Sequence, residues 1–328
     1  MDLDFERLRA DIEQAAHRIA GYVYPSPLLR SDKLNAHFDA NVLLKAESLQ
    51  PTGSFKLRGA FNSILQLLEG QQIDRVLAFS SGNHGIGVAY AARVLNLSAT
   101  IVAPNDAPRA KVDRILSLGA NLVTYCRDTE DREQLAADLQ RANPMPLIKP
   151  YDDWQTVCGQ GSCAVEVTQE YQQRLDAAIV CTGGGGLIAG IGSYLKGPYP
   201  SIELYSAEPE GWDDHRLSLA RGERIAAPGT GSTWCDGLLA PIPGELTFRM
   251  NLANGVQGLS ANDDAIAEAM TLCWHTFGLR LEPSGAVALA SLLSNKHRFA
   301  GNNVLVTLTG GNVDSERFFE CTGINTPA

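Results

Sequence analysis

The sequence predicts an α/β protein of two domains, each an open, mostly parallel sheet with helices on both faces. Three observations carry this expectation. Seven short apolar runs, bounded by Gly, Pro, Asn or Asp, recur along the 328 residues. Most are apolar throughout, as strands buried on both faces of a sheet must be. Amphipathic stretches lie between them, and alternation of the two kinds is the pattern of a parallel sheet wound with helices.

The elements follow in order. "FERLRADIEQAAHRIA" repeats apolar residues at Phe5, Leu8, Ile12 and Ile19, which predicts a helix. "NVLLKAE" (41–47) predicts a strand, and "FKLRGAFNSIL" after it an amphipathic helix. "RVLAFSS" (75–81), "ATIVAP" (99–104) and "NLVTYC" (121–126) predict further strands. "REQLAADLQRA" predicts a helix after them. Three prolines crowd "RANPMPLIKPYDD" (141–153), the best candidate for a boundary. We therefore expect residues 71–150, with about four strands, to form a small domain. Residues 1–70 and 151–328 then form a larger, discontinuous one. "AAIVCT" (177–182), "IELYSAE" (202–208) and "NVLVTLTG" (303–310) supply its remaining strands, and "DDAIAEAMTLCWHTFG" a helix stopped at Gly278.

Composition removes some functions. Apolar residues at 45% and charged residues at 20% are ordinary for a globular chain. A net charge of -10 argues against a nucleic-acid partner, whose phosphates call for a basic face. The seven cysteines form no Cys-x-x-Cys pair, and Cys158 and Cys163 have no His/Cys neighbours to complete a zinc site. They read as scattered buried thiols of a reducing compartment. "MDLDFERLRA" lacks a basic stretch followed by an apolar one, so we expect a cytoplasmic protein without a signal peptide. The uncharged stretch Ala177 to Leu195 is nearly long enough to span a membrane. It contains six glycines, four of them adjacent, which would break the helix that a bilayer demands.

Those four glycines, Gly183, Gly184, Gly185 and Gly186, follow a strand and open a helix. A helix N-terminus offers unpaired N–H groups and a positive dipole, and glycine lets an anion come close. The turn is thus an anion site, or a glycine turn that merely packs tightly. Gly184, Gly186 and Ala189 also satisfy G-x-G-x-x-A, and Glu208 ends the next strand about where an acid binds a ribose. A nicotinamide-dependent dehydrogenase is one reading of that pattern. Two further stretches bear on the choice. "QPTGSFKLRGA" puts Lys56 among apolar residues at a helix start, where a lysine commonly snorkels to the surface. "FSSGNHGIGVAYAA" is a strand end, a polar glycine turn and a helix start.

Taken together, "SFKLRGA", "SSGNHGIGVA", "CTGGGGL", "EPSGAVALA" and "TLTGGNVD", in this order, resemble the fold type II pyridoxal-phosphate enzymes. The resemblance is to the serine/threonine dehydratase and serine racemase family, and it covers nearly the whole chain. It implies a cofactor, pyridoxal 5'-phosphate, in the cleft between the two domains. It makes Lys56 the Schiff-base lysine, lays Phe55 against the cofactor ring and gives the phosphate to Gly183–Gly186. Asn83 would bond the ring's phenolic oxygen, and Thr309 would stand opposite the pyridine nitrogen. A hydroxyl there leaves the ring a weaker electron sink, which suits loss of a β leaving group. Ser80, Ser81, Gly82, Asn83 and His84 would form a nest for the substrate carboxylate. The implied activity is a lyase that turns a β-hydroxy amino acid (serine, threonine or 3-hydroxyaspartate) into a 2-oxo acid and ammonia. Ser81 aligns with the residue that protonates the opposite face in the racemases, so racemisation is the alternative.

"AEPEGWDDH" aligns with a divalent-cation site of this subgroup, with Mg2+ as the expected ion. Glu208 and Asp214 would give carboxylates and Trp212 its backbone carbonyl; an acidic solvated loop is the competing reading. Arg132 lies near a position where some relatives place an arginine beside the substrate. A solvated helix arginine is the expected reading, and a partner for a second carboxylate the alternative. We further expect a homodimer, no membrane partner and no C-terminal regulatory domain.

Overall fold

A computed structural model of the chain describes residues 3–80, 82–126, 128–230 and 233–325. Its first third runs α1 (Phe5–Ile19), β1 (Leu28–Leu29), α2 (Asp32–Phe38), β2 (Asn41–Ala46), α3 (Lys56–Gly70), β3 (Arg75–Phe79) and α4 (Asn83–Val94). Next come β4 (Ser98–Pro104), α5 (Arg109–Ser117), β5 (Asn121–Tyr125), α6 (Arg132–Ala142), α7 (Trp154–Glu170), β6 (Ala177–Cys181) and α8 (Gly186–Leu195). The remainder is β7 (Glu203–Pro209), α9 (Asp214–Arg221), α10 (Glu245–Ala253), β8 (Gln257–Ala261), α11 (Asp263–Phe277), α12 (Pro283–Ser294), β9 (Asn303–Leu308) and α13 (Ser315–Thr322).

Two sheets organise these elements. The larger has the order β1-β2-β9-β6-β7-β8, and the smaller the order β3-β4-β5. Every pairing is parallel except β1 with β2, so the chain is mixed α/β with helices between strands. The last strand, β9, lies between β2 and β6, which closes the large sheet around its earliest and latest segments. The chain leaves that sheet after β2, builds β3 to β5, and returns at β6.

The apolar runs are continuous because both faces are covered. Val42, Leu44, Ile179, Val304 and Val306 pack into one core with α11 and α12. Their neighbours Leu43, Ala178, Val180 and Leu305 point the other way, into a second core with α7 and α8. Alternate residues of a strand take opposite faces, so both sets must be apolar. Two strands escape the sequence pattern, β1 and β8. Both are edge strands; β8 reads Gln257–Ala261 and keeps only Leu259 and Ala261 buried.

The smaller sheet has three strands rather than about four. The fourth segment shrinks to one bridge, Leu77 with Leu147. There Leu77 N–H donates to Pro146 O and Ile148 N–H to Leu77 O. Prolines at 144, 146 and 150 remove the N–H groups that a full strand would need. Among the described residues no helix is long and apolar enough to cross a membrane.

Candidate active site

Parallel strands gather their following loops at one edge of the sheet, and that edge is where ligands bind in open α/β folds. Here the turns after β6 and β9 and the start of α3 face the turn after β3. Between them is a cavity lined by Phe55, Lys56, Ser80, Gly82, Asn83, His84, Gly183 to Gly186 and Thr309. Each of these is an expected site residue. Ser81 lies outside the described residues.

Gly183 to Gly186 form one wall. An added Cβ at Gly184 would lie 2.2 Å from the Tyr151 ring. One at Gly185, whose φ is +89°, would lie 2.4 Å from His215 Nε2, and one at Gly186 would lie 2.8 Å from Gln160 Oε1. Side chains are therefore excluded at Gly184, Gly185 and Gly186, where the backbone itself is what the cavity meets. None of the four N–H groups has an acceptor among the described residues, so the loop opening α8 presents unpaired donors in an arrangement that suits an anion. The acid of the dinucleotide reading is turned elsewhere. Glu208 does not line the cavity, and its oxygens accept from the N–H groups of His215 (2.9 Å) and Arg216 (2.8 Å).

Lys56 stands across the cavity as the first residue of α3. Its Nζ donates to Pro150 O at 2.7 Å and lies 5.0 Å from the centre of the Phe55 ring. No carboxylate pairs with it among the described residues, and burial lowers its pKa to about 8. A lysine so placed reaches the neutral, nucleophilic form near physiological pH. Its helix is fixed from behind by Arg58, which is buried between two carboxylates. The guanidinium donates to Glu47 twice at 2.8 Å and to Glu166 at 2.7 and 2.8 Å. Lys45 Nζ joins Glu166 at 2.5 Å.

The third wall is the start of α4. Gly82 N–H is taken by Ser80 Oγ at 3.2 Å. The N–H groups of Asn83 and His84 have no acceptor among the described residues. The Asn83 side chain is held from both sides, giving to Glu282 Oε1 at 2.5 Å and accepting from Asn312 Nδ2 at 2.7 Å. His84 offers the cavity its backbone. Its ring is buried, Nε2 contacts Ile148 O at 2.8 Å, and burial, then the Lys56 charge, push its pKa down to about 3. Thr309 is buried at the end of β9, beyond Leu308.

Arg132, for which a solvated helix arginine is the expected reading and a partner for a second carboxylate the alternative, is half-buried and lines the cavity, its Cζ 5.1 Å from the Phe79 ring centre. The reason is positional: it is the first residue of α6, where the side chain leans back over the preceding loop. Tyr151 lines the same wall, packed on Gly184. Lys111 spans the cleft, with Nζ 2.5 Å from Asp236 and 3.5 Å from Glu282. Only the three-dimensional approach of α5 to the 236–238 turn reveals that contact.

Behind the cradle is the expected cation motif. Glu208, Asp214 and His215 are buried, and ligand atoms from all three lie within 4.8 Å of one another. Both Asp214 oxygens and both His215 ring nitrogens lack a hydrogen-bond partner among the described residues. Burial, then the Asp214 charge, push Glu208 well above the usual carboxylate value, and burial raises Asp214. Orphaned donor atoms of this kind fit a cation. His215 is an addition to the expected set, while Trp212 is half-buried in the turn before α9.

A two-sheet α/β protein with a glycine loop of unpaired N–H groups and a half-buried lysine without a carboxylate partner facing it suits a phosphorylated aldehyde. Comparison with known proteins gives the class its name. A family model described as "Pyridoxal-phosphate dependent enzyme" matches residues 19–310, and the chain belongs to that family. It is 40% identical to an L-threo-3-hydroxyaspartate ammonia-lyase of Pseudomonas sp over 308 residues, 94% of this chain and 96% of the other. It is 36% identical to a serine racemase of Arabidopsis thaliana over 324 residues, 96% of each chain. The crystal structure of serine racemase from Dictyostelium discoideum superposes with a TM-score of 0.87 at 36% identity, covering 93% of this chain and 98% of that one.

Proposed function

We propose that this chain is an ammonia-lyase that converts a β-hydroxy amino acid with a second carboxylate, of the 3-hydroxyaspartate kind, to a 2-oxo acid and ammonia. The observation that carries the choice is Arg132, a cation in the same cavity as Lys56 and the glycine cradle. A mono-carboxylate substrate leaves it without work; a dicarboxylate gives it a partner suited to its planar fork. The hydroxyaspartate ammonia-lyases among the relatives support the same reading.

In this proposal Gly183–Gly186 hold the phosphate through their N–H groups, and Phe55, Asn83 and Thr309 frame the ring. Pyridoxal 5'-phosphate, when bound, supplies an electron sink that acidifies the Cα–H of an amino acid joined to it. Ser80 and the N–H groups of Asn83 and His84 hold the α-carboxylate, and Arg132 the β-carboxylate. Lys56 Nζ, depressed by burial, takes the Cα proton. The β-hydroxyl departs with a proton as water, and hydrolysis of the amine-bearing product gives the 2-oxo acid and ammonia. The proposal takes residues 1–70 with 151–328 as the cofactor-bearing domain and 71–150 as the smaller one. It also takes a cytoplasmic homodimer as the working form, and the 208–215 cluster as a divalent-cation site, with Mg2+ the expected ion. Racemisation is the second reading, supported by the serine racemases among the relatives. It shares the proton removal by Lys56 and differs in returning a proton to the other face.

The test offers both enantiomers of 3-hydroxyaspartate, serine and threonine and measures 2-oxo acid, ammonia and the chirality of recovered substrate. Borohydride reduction of the purified protein is expected to leave the cofactor's mass on Lys56. Arg132→Gln is expected to lower kcat/KM about 100-fold on 3-hydroxyaspartate, the cost of losing one charged partner, and far less on serine. No 2-oxo acid from any substrate would sink the lyase, and an unchanged substrate ratio in Arg132→Gln would sink the dicarboxylate.

A further inference from the structure

We infer that Thr247 and Asn251, two buried side chains that do not reach the cleft, are the positioning residues that aim the N–H groups of the phosphate cradle. The inference rests on reading Gly183–Gly186 as that cradle. Four consecutive glycines are the least constrained backbone a chain can have. A cradle needs the opposite, with peptide planes fixed before the anion arrives. No side chain of the loop can fix them. The first bond of α8, from Ala189 N–H at 3.0 Å, holds Gly185 O, but Gly184 O has no backbone donor among the described residues, so its constraint has to come from outside.

It comes from α10. Thr247 Oγ1 donates to Gly184 O at 2.6 Å, and Asn251 Nδ2 adds a longer bond, 3.4 Å, to Gly185 O, which also accepts from Ala189 N–H. Both side chains are fully buried. They stand four residues apart and so project from one face of the helix. The peptide bonds of the described residues are all trans, so each N–H points opposite to the carbonyl of the preceding residue. Drawing the carbonyls of Gly184 and Gly185 back toward α10 therefore turns the N–H groups of Gly185 and Gly186 away from it, to the side where these glycines line the cavity.

The helix that does this is itself tied to the cleft wall. Asp152 Oδ1 accepts from Leu246 N–H at 2.7 Å and Thr247 N–H at 3.3 Å, capping α10 from a distant segment. Asp152 holds a left-handed backbone, φ +54°, an uncommon and costly state for a residue with a side chain. Gly244 makes room, since a Cβ there would fall 2.5 Å from Asp152 Oδ1 and 2.6 Å from Thr247 Oγ1. Tyr151, the residue before Asp152, packs its ring on Gly184. The loop is thus clamped from one side by a ring and from the other by two side chains that donate to its carbonyls.

The experiment strips the purified protein of cofactor and titrates it separately with pyridoxal 5'-phosphate and with pyridoxal, which lacks the phosphate. Thr247→Val keeps the shape and removes the donor. It is expected to raise the Kd for pyridoxal 5'-phosphate about tenfold, the effect of one carbonyl left unheld, and leave that for pyridoxal unchanged. Thr247→Ser is expected to restore wild-type values. Should Thr247→Val fail to fold, Asn251→Leu asks the same question at the next carbonyl. Equal weakening of both ligands, or none of either, would overturn the inference while leaving the cofactor site intact. If the wild type itself binds no pyridoxal 5'-phosphate, or shows no preference for it over pyridoxal, the reading of the cradle fails first.

Discussion

Replacing Arg58 by Met tests whether the charge cluster behind Lys56 is held by pairing. Arg58 is buried, and so is Glu47. Burial alone would raise the Glu47 carboxyl, but Arg58 outweighs it, and Glu47 lies below the usual carboxylate value. Remove the guanidinium and the two bonds of 2.8 Å to Glu47 go with it. Ser26 Oγ, at 2.5 Å, stays on Glu47, while Lys45 stays with Glu166. An unpaired buried charge costs about 3–5 kcal/mol, so Arg58→Met is expected to lose about that much at pH 7. The pH dependence distinguishes this from simple loss of packing. In the variant Glu47 is governed by burial, so its folded pKa lies above the unfolded one. The variant is then least handicapped at low pH and loses stability as pH rises. The wild type behaves oppositely, since its depressed Glu47 contributes fully above the unfolded pKa and loses that contribution as pH falls. The penalty should therefore shrink between pH 7 and pH 5, by at most about 1.36 kcal/mol per pH unit for this one group. Urea unfolding followed by circular dichroism at both pH values measures it. Adding Glu47→Gln should recover most of the loss at pH 7. An equal penalty at both pH values with no rescue would refute the argument.

Gly184→Ala should abolish binding of pyridoxal 5'-phosphate, because its Cβ must displace the Tyr151 ring from 2.2 Å; a titration of the stripped protein reads this, and unchanged affinity would contradict the cradle. In protein without cofactor, Lys56 should react with an amine-modifying reagent with a midpoint near pH 8, the reactive neutral form growing as pH rises; mass mapping of the modified site checks it. A divalent cation should raise the melting temperature of the wild type and not of Asp214→Asn, since Asp214 carries two of the orphaned buried oxygens; an equal shift in both would remove the metal site.

Some of this was determined by sequence alone. Runs such as Val42–Leu44 and Ile179–Val180 announce strands buried on both faces, because period-two alternation vanishes when both faces are apolar. Gly183–Gly186 announce an anion site, because only glycine leaves backbone N–H groups this accessible. Lys56 and Asn83 were legible through the motifs around them. Arg132 was legible beside the substrate only as an alternative to a solvated arginine, since helical spacing cannot say which way a first-turn side chain leans. His215 carried no signal beyond its place next to Asp214. Thr247 and Asn251 were silent, for they are ordinary residues of a short helix, made relevant by a glycine loop some sixty residues away. Sequence specifies local conformation and burial through short-range sterics and periodicity. Which carbonyl a distant hydroxyl holds, and which cation faces which cavity, depends on how the elements pack, and that was decided only by the tertiary structure.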